Sequence, residues 1–285
     1  MKVPRLKDMG RTSFPPLKSL GQNFLSHEAL AKKLVDKLPL APSDAVVELG
    51  AGRGALTFFL AEKASRVLAV EIDAGHSAEL TEKVNDSGEK NVEVVHSDLL
   101  KADWQEWLVL LNGPFFIVGN LPYHISTPTL FKIIENRSIL KAAYVMLQKE
   151  VADRLLARPG TKEYGVITVL IGYYAQVRSM MHLGPGCFFP RPKVSSTFVE
   201  LLFRPEPAPK IEDESLFQWV VRSAFGQRRK QIKNALTADG RFPPAMIVKA
   251  LELNETDPTS RGETLSIAQL VTLSNRLYGL QEESG

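Results

Sequence analysis

The chain has 285 residues, 44% hydrophobic and 24% charged, a composition that fits a soluble globular protein of one or two domains with a full core. Its 35 Lys and Arg against 32 Asp and Glu give a net charge of +3, too small to name a partner, so the distribution of charge matters more than its sum. A single cysteine, Cys187, excludes an intrachain disulfide, the five histidines lack ligand-type spacing, and no apolar run approaches the ~18 residues that span a bilayer; neither a metal site nor a membrane anchor is expected.

The N-terminus, MKVPRLKDMGRTSFPP, carries charge and proline where a signal peptide needs an apolar core, which points to the cytoplasm. Over the first twenty residues Lys2, Arg5, Lys7, Arg11 and Lys18 stand against Asp8 alone, making a basic arm. Val46–Leu49 then reads as a strand that enters the glycine cluster Gly50-Ala51-Gly52-Arg53-Gly54, followed by helical character from Leu56 to Lys63. Arg66–Glu71 and Val92–Val95 are further β-like runs, with a helical stretch around Ser77 to Asn85 between them. Phe115–Val118 makes a fourth strand, Ala142–Leu147 a fifth, and Val166–Ala175 and Ser196–Phe203 later ones. Strands alternating with helices predict an α/β fold with a parallel, doubly wound sheet.

At Arg204-Pro205-Glu206-Pro207-Ala208-Pro209 alternating prolines suit a stiff linker. Beyond it, Ser215–Leu236, Pro243–Leu253 and Ser266–Leu277 have helical spacing, the last opened by a capping box of Ser266 and Gln269. The expected layout is a Rossmann-like domain with the basic arm over residues 1–204, a linker over 205–212 and a small all-helical domain over 213–285. The first of these helices carries Arg222, Arg228, Arg229, Lys230 and Lys233 and no acid, which suits either a solvated face or a nucleic-acid contact. Trp219, Val220, Phe225 and Cys187 read as packing residues.

The glycine cluster is spaced GxGxG, which departs from the GxGxxG of dinucleotide clamps and leaves room for another adenosine-bearing cofactor or for a plain turn. Glu71 decides between them: it ends the second strand about 20 residues after the loop, where an acid accepts both hydroxyls of a ribose. Asp98, ending the third strand, is placed to meet an adenine or to cap a helix. This ordered set resembles the class I S-adenosylmethionine-dependent methyltransferases. In that family three successive strand ends meet the methionine part, the ribose and the adenine of the cofactor.

Asn120-Leu121-Pro122-Tyr123 follows the fourth strand. The exocyclic amine of adenine is a poor nucleophile because its lone pair is delocalised into the ring. The side-chain oxygen of Asn120 and the backbone carbonyl of Leu121 are two acceptors that could redirect it, Pro122 fixes the turn without a competing N–H, and Tyr123 could stack on the base. The simpler reading is a tight turn with an asparagine cap and a packing tyrosine. The stretch resembles the (N/D/S)-(I/L/P)-P-(Y/F/W) signature of amino-group methyltransferases.

GQNFL, ELGAGRGALT, EID, NLPY and FFPRPKV, in that order, resemble the rRNA adenine N6-dimethyltransferases over nearly the whole chain. The resemblance implies that Asn23 and Leu25 close over S-adenosylmethionine, that Gly50, Glu71, Asp98 and Asn120 bind it, and that Phe188 joins Tyr123 in sandwiching the target adenine. Glu48, at its strand end, suits a role in ordering the cofactor loop. AFGQRRKQIKNAL and the later RGETLS look like the branch that modifies two adjacent adenines near the 3′ end of 16S rRNA, with Arg222, Arg228, Arg229, Lys230 and Lys233 on rRNA phosphates. That implies a monomer acting on the small ribosomal subunit or its precursor. The alternatives are the resistance branch acting on 23S rRNA and a noncatalytic assembly factor of the same fold; a DNA adenine methyltransferase should bring a larger target-recognition domain.

Overall fold

Near-continuous apolar runs of β-branched residues form buried parallel strands, because helices then cover both faces of the sheet. In the computed structural model, which describes residues 23–283, nine strands form: β1 (Phe24–Leu25), β2 (Ala45–Leu49), β3 (Arg66–Glu71), β4 (Val92–His96), β5 (Phe115–Asn120), β6 (Leu140–Gln148), β7 (Ala175–Leu183), β8 (Phe188–Phe189) and β9 (Ser196–Phe203). Seven of them make one sheet in the order β4-β3-β2-β5-β6-β9-β7, and β1 pairs with β8 apart from it. The β2/β3, β3/β4, β2/β5 and β5/β6 pairs are parallel, and β6/β9 is antiparallel.

The helices are α1 (Glu28–Asp36), α2 (Thr57–Ala61), α3 (Ala74–Ser87), α4 (Trp104–Leu110), α5 (Ser126–Glu135), α6 (Lys149–Leu155), α7 (Val166–Tyr174), α8 (Glu214–Gly226), α9 (Ile232–Thr237), α10 (Pro244–Leu253) and α11 (Ile267–Glu282). The central strand β2 is buried throughout, whereas β4 at the sheet edge is partly open. One core cluster joins Val46, Val67, Phe116, Tyr144 and Phe198 of the sheet to Leu34 and Val35 of α1 and Phe59 and Leu60 of α2. None of the helices among the described residues is long and apolar enough to cross a membrane.

Two expectations are corrected. Val166–Ala175, expected as a strand, is helix α7. Its sequence VITVLIGYY is apolar on all sides and so has no visible period, and burial of Val169, Leu170, Ile171, Tyr173 and Tyr174 accounts for that composition. The hydroxyl of Thr168 accepts from Gly165 N at 3.1 Å and fixes the helix start.

The stretch Ser215–Leu236 is also not one helix. It stops at Gly226, and Arg228, Arg229 and Lys230 lie in a turn before α9. Gln231 makes an isolated antiparallel bridge with Arg261, and Ile232 N donates to Ser260 O at 2.7 Å, so backbone groups that would continue a helix are used elsewhere.

The chain divides into two compact units, one running to Ala152 and resuming over Arg178–Phe203, the other comprising Asp153–Val177 and the residues from Arg204 onward. The second unit is therefore not contiguous in sequence, unlike the division at a linker over residues 205–212 that the proline-rich stretch suggests. Within it, Tyr164 donates from its hydroxyl to Leu265 O at 3.0 Å and its ring meets Phe225 edge-on at 5.6 Å, which ties the segment around α7 to the C-terminal helices.

Candidate active site at the strand ends

Because β2 to β5 are parallel, their carboxyl ends open on one edge, and β3 and β5 flank β2 on opposite sides. The strand order reverses there, which is where open α/β sheets leave a ligand crevice. A cavity of about 220 Å³ occupies it. Gly50 follows β2, Glu71 ends β3 with Ile72 after it, Ser97 to Leu100 follow β4, and Asn120 ends β5 with Pro122 and His124 beyond it; Asn23 and Phe24 supply another wall.

The glycine loop is fixed by its backbone. Gly50 N and Ala51 N both donate to Val70 O, at 2.9 and 3.0 Å. Gly52 has φ +55°, and a Cβ there would lie 2.7 Å from the Phe24 ring, so both conformation and space require glycine. Phe24 in turn lies under the Arg53 guanidinium at 5.6 Å and against the edge of His76 at 5.3 Å.

Two carboxyl groups hold this loop from below. Glu71 accepts from Gly52 N at 2.7 Å and from Asp73 N at 2.9 Å, one donor on each oxygen, so each keeps lone-pair capacity for a ligand hydroxyl. Glu48 is 2% exposed, and the hydroxyl of Thr57, first residue of α2, donates to it at 2.5 Å. Glu48 and Thr57 thus close the loop at both ends. Burial pushes Glu48 up from the ordinary 4.5 to about 8, which favours its neutral acid form; the Thr57 bond opposes this and the charge of Glu71 adds to it.

Because Asp103 caps α4, Asp98 is not a helix cap. Its Oδ1 accepts from Leu100 N at 3.0 Å, closing the turn after β4, and it lines the cavity.

At the end of β5, Asn120 Nδ2 donates to Asn23 O at 2.7 Å. A carbonyl can only accept, so the bond fixes which end of the amide is which and leaves Oδ1 as the acceptor toward a ligand. The Leu121 side chain is buried, leaving the backbone as its polar group at this edge. Pro122, at φ −56°, starts a short 3₁₀ turn over Tyr123–Ile125. Tyr123 is half-buried, and its hydroxyl lies 2.9 Å from Ser196 Oγ at the start of β9.

Antiparallel pairing sets Phe24 opposite Phe189 and Leu25 opposite Phe188. Side chains alternate along a strand, so only one member of each dipeptide faces the core. Leu25 is 2% exposed and Phe188 3%, both in the main cluster, whereas Phe189 is 64% exposed. The side chain of Leu25 therefore does not close over the cavity, and Phe24 takes that place. Likewise Phe188 does not present its ring for stacking; Phe189 is the open ring. The period-2 alternation in NFL and FFP was the available signal. Ile72, 45% exposed, also lines the cavity, directly after the buried Glu71.

The basic residues belong to the second unit. Arg222, Arg229 and Lys230 are exposed and Lys233 is partly so. Arg228 differs: its Nε and Nη2 donate to Glu263 Oε2 at 3.2 and 2.9 Å, which offsets its charge. The N-terminal basic arm and the Gly21-Gln22 part of GQNFL lie outside the described residues.

Residues 16–276 match the family described as ribosomal RNA adenine dimethylase. The ribosomal RNA small subunit methyltransferase A of Anoxybacillus flavithermus is 42% identical over 267 residues, covering 92% of this chain and 90% of that protein. The protein of the same name from Bacillus cereus is 42% identical over 283 residues, covering 96% and 95%. Among solved structures, a dimethyladenosine transferase from Plasmodium falciparum has the same fold, with a TM-score of 0.78 at 24% identity over 92% of this chain and 98% of that one. The 23S rRNA methyltransferase ErmE follows at a TM-score of 0.68 and 27% identity, covering 90% and 100%.

Proposed function

Since the chain belongs to the ribosomal RNA adenine dimethylase family, we propose that it uses S-adenosylmethionine to dimethylate N6 of two adjacent adenines in a loop near the 3′ end of 16S rRNA. The small-subunit methyltransferases at 42% identity favour this target over the 23S rRNA of the 27% identical ErmE. The observation that carries the catalytic reading is the amide of Asn120, tied to Asn23 through its nitrogen with its oxygen left to accept from an adenine amine at the cavity edge. A noncatalytic assembly factor would have no need of it.

The residues present fit the cofactor. Glu71 offers two acceptors for a ribose diol, Asp98 on the cavity wall would take the adenine, and the glycine loop brings backbone close without side chains in the way. Asn23 and Phe24 form the wall above, and Glu48, favoured in its neutral form, holds the loop. When bound, S-adenosylmethionine would supply an electrophilic methyl on its sulfonium sulfur, and breaking that S–C bond would leave S-adenosylhomocysteine.

The chain does the rest by positioning. Asn120 Oδ1 and the Leu121 carbonyl accept from the two N–H groups of the target amine and turn its lone pair toward the methyl. Tyr123 stacks on the base, which must first leave its own stack to reach the cavity. Phe189 supplies the second ring. After attack the amine proton is acidic enough to pass to water, so no strong general base is required.

Arg222, Arg229, Lys230 and Lys233 meet rRNA phosphates and set orientation. The protein works as a cytoplasmic monomer on the small subunit or its precursor. The test supplies labelled S-adenosylmethionine with unmethylated small subunits, unmethylated large-subunit rRNA and adenine-containing DNA, and maps product by nucleoside mass spectrometry. N6,N6-dimethyladenosine confined to 16S rRNA is expected; label in 23S rRNA, or none anywhere, overturns the proposal.

A further inference from the structure

The two side chains of NLPY that would meet the target base are each held from behind by one hydrogen bond from a distant segment. Asn120 is held by Asn23, and Tyr123 by Ser196 at 2.9 Å. The second bond is of a different kind from the first. Ser196 is fully buried, opens β9 and sits opposite Gln148 of β6, so its Cβ is fixed by the sheet. Tyr123 is only half-buried, and at its backbone end the ring is fixed by Pro122 and a single 3₁₀ turn.

A phenol ring has two torsions. Anchored at the backbone alone it can swing, whereas anchored also at its hydroxyl it keeps one plane. A stacking partner that holds its plane before the base arrives loses less entropy on binding and aligns the amine more closely with the methyl donor. The same strand start lies one residue beyond FFPRPKV, so one hydroxyl also ties the NLPY turn to the segment carrying Phe189.

We propose that Ser196 is a positioning residue for methyl transfer: its buried hydroxyl pins the phenol of Tyr123 so that the ring offers one fixed face to the target adenine. This rests on Tyr123 being the stacking residue, and the test separates the two claims. Turnover on unmethylated small subunits is compared for Ser196→Ala, Tyr123→Phe, the double variant and Tyr123→Ala, with mono- and dimethyladenosine resolved and melting temperatures recorded.

Ser196→Ala and Tyr123→Phe are each expected to lower kcat by about three- to tenfold, the scale of one hydrogen bond, with KM for the subunit nearly unchanged. In the Tyr123→Phe background the serine change is expected to cost nothing further, and Ser196→Thr to restore activity in the wild-type background. A further loss in the double variant, or wild-type kcat in both single variants, overturns the role of Ser196. Near-normal turnover by Tyr123→Ala instead overturns the stacking role of Tyr123. If Ser196→Ala does not fold, Tyr123→Phe still decides, because it removes the same bond from a half-exposed position without touching β9; wild-type kcat there overturns the proposal.

Discussion

Asn120 and Asn23, 97 residues apart in the chain, are joined by a 2.7 Å hydrogen bond from a side-chain amide to a main-chain oxygen. The bond gives the amide a direction. Asn120→Asp would replace the donor with a carboxylate oxygen facing the Asn23 carbonyl, and the two acceptors repel. Methyl transfer is expected to fall by on the order of 10²-fold, the scale for removing one preorganised polar group from a reacting centre. Turnover assays with circular dichroism as a control for folding check it; activity within a few-fold of wild type in a folded variant would remove Asn120 from the chemistry.

The buried acid under the glycine loop predicts a pH dependence of stability. Glu48 binds its proton up to about pH 8 in the folded chain and releases it near 4.5 when unfolded. The unfolded state therefore holds fewer protons between those values, and the stability that Glu48 contributes is full below about 4.5 and lost as the pH rises to about 8. Glu48→Gln removes the titration. Its melting temperature relative to wild type is expected to climb between pH 5 and pH 8 by the equivalent of a few kcal/mol. A constant difference across that range would mean that Glu48 ionises without cost.

The neighbouring phenylalanines should separate stability from activity. Phe188→Ala empties a core position and is expected to cost about 3–5 kcal/mol. Phe189→Ala should stay within roughly 0.5 kcal/mol of wild type while lowering turnover on the ribosomal subunit. Denaturant titration and methyl transfer read the two effects; an inert Phe189→Ala with normal turnover would leave Tyr123 to meet the base without a second ring.

Among the basic residues, Arg228 is expected to matter less for RNA than its neighbour. Arg229→Ala should weaken binding and lower the slope of log affinity against log salt by about 0.7–0.9, the value for one phosphate that the protein no longer neutralises. Arg228→Ala should change the slope less, because Glu263 already offsets that charge. Binding measured at several salt concentrations compares them, and equal slopes would show that Arg228 leaves Glu263 for the RNA.

The parallel strands were legible because buried β-branched runs such as AVVEL and FFIVGN admit few other readings, and the strand ends followed from them. Periodicity failed where burial was complete. VITVLIGYY has no polar face to give its helix away, and in AFGQRRK the turn depends on backbone partners at Ser260 and Arg261 that lie far along the chain. The site was legible as an ordered set of residue types. Its supporting bonds, Asn23 to Asn120 and Ser196 to Tyr123, and the inward turn of Leu25 and Phe188, depend on which distant segments pair and so left only the weak alternation of NFL and FFP to read.

The two-residue pairing of β1 with β8 also bears on how the protein is made. Phe24 leaves the ribosome early, and its partner Phe189 only when the last strands of the first unit are being synthesised. At elongation rates of about 5–20 residues per second the delay is roughly ten to thirty seconds, during which the glycine loop exists without its completed wall. A nascent chain that stops short of β8 is therefore not expected to hold a methyl donor, and an enzyme that modifies ribosomes becomes competent only after a ribosome has made about two thirds of it.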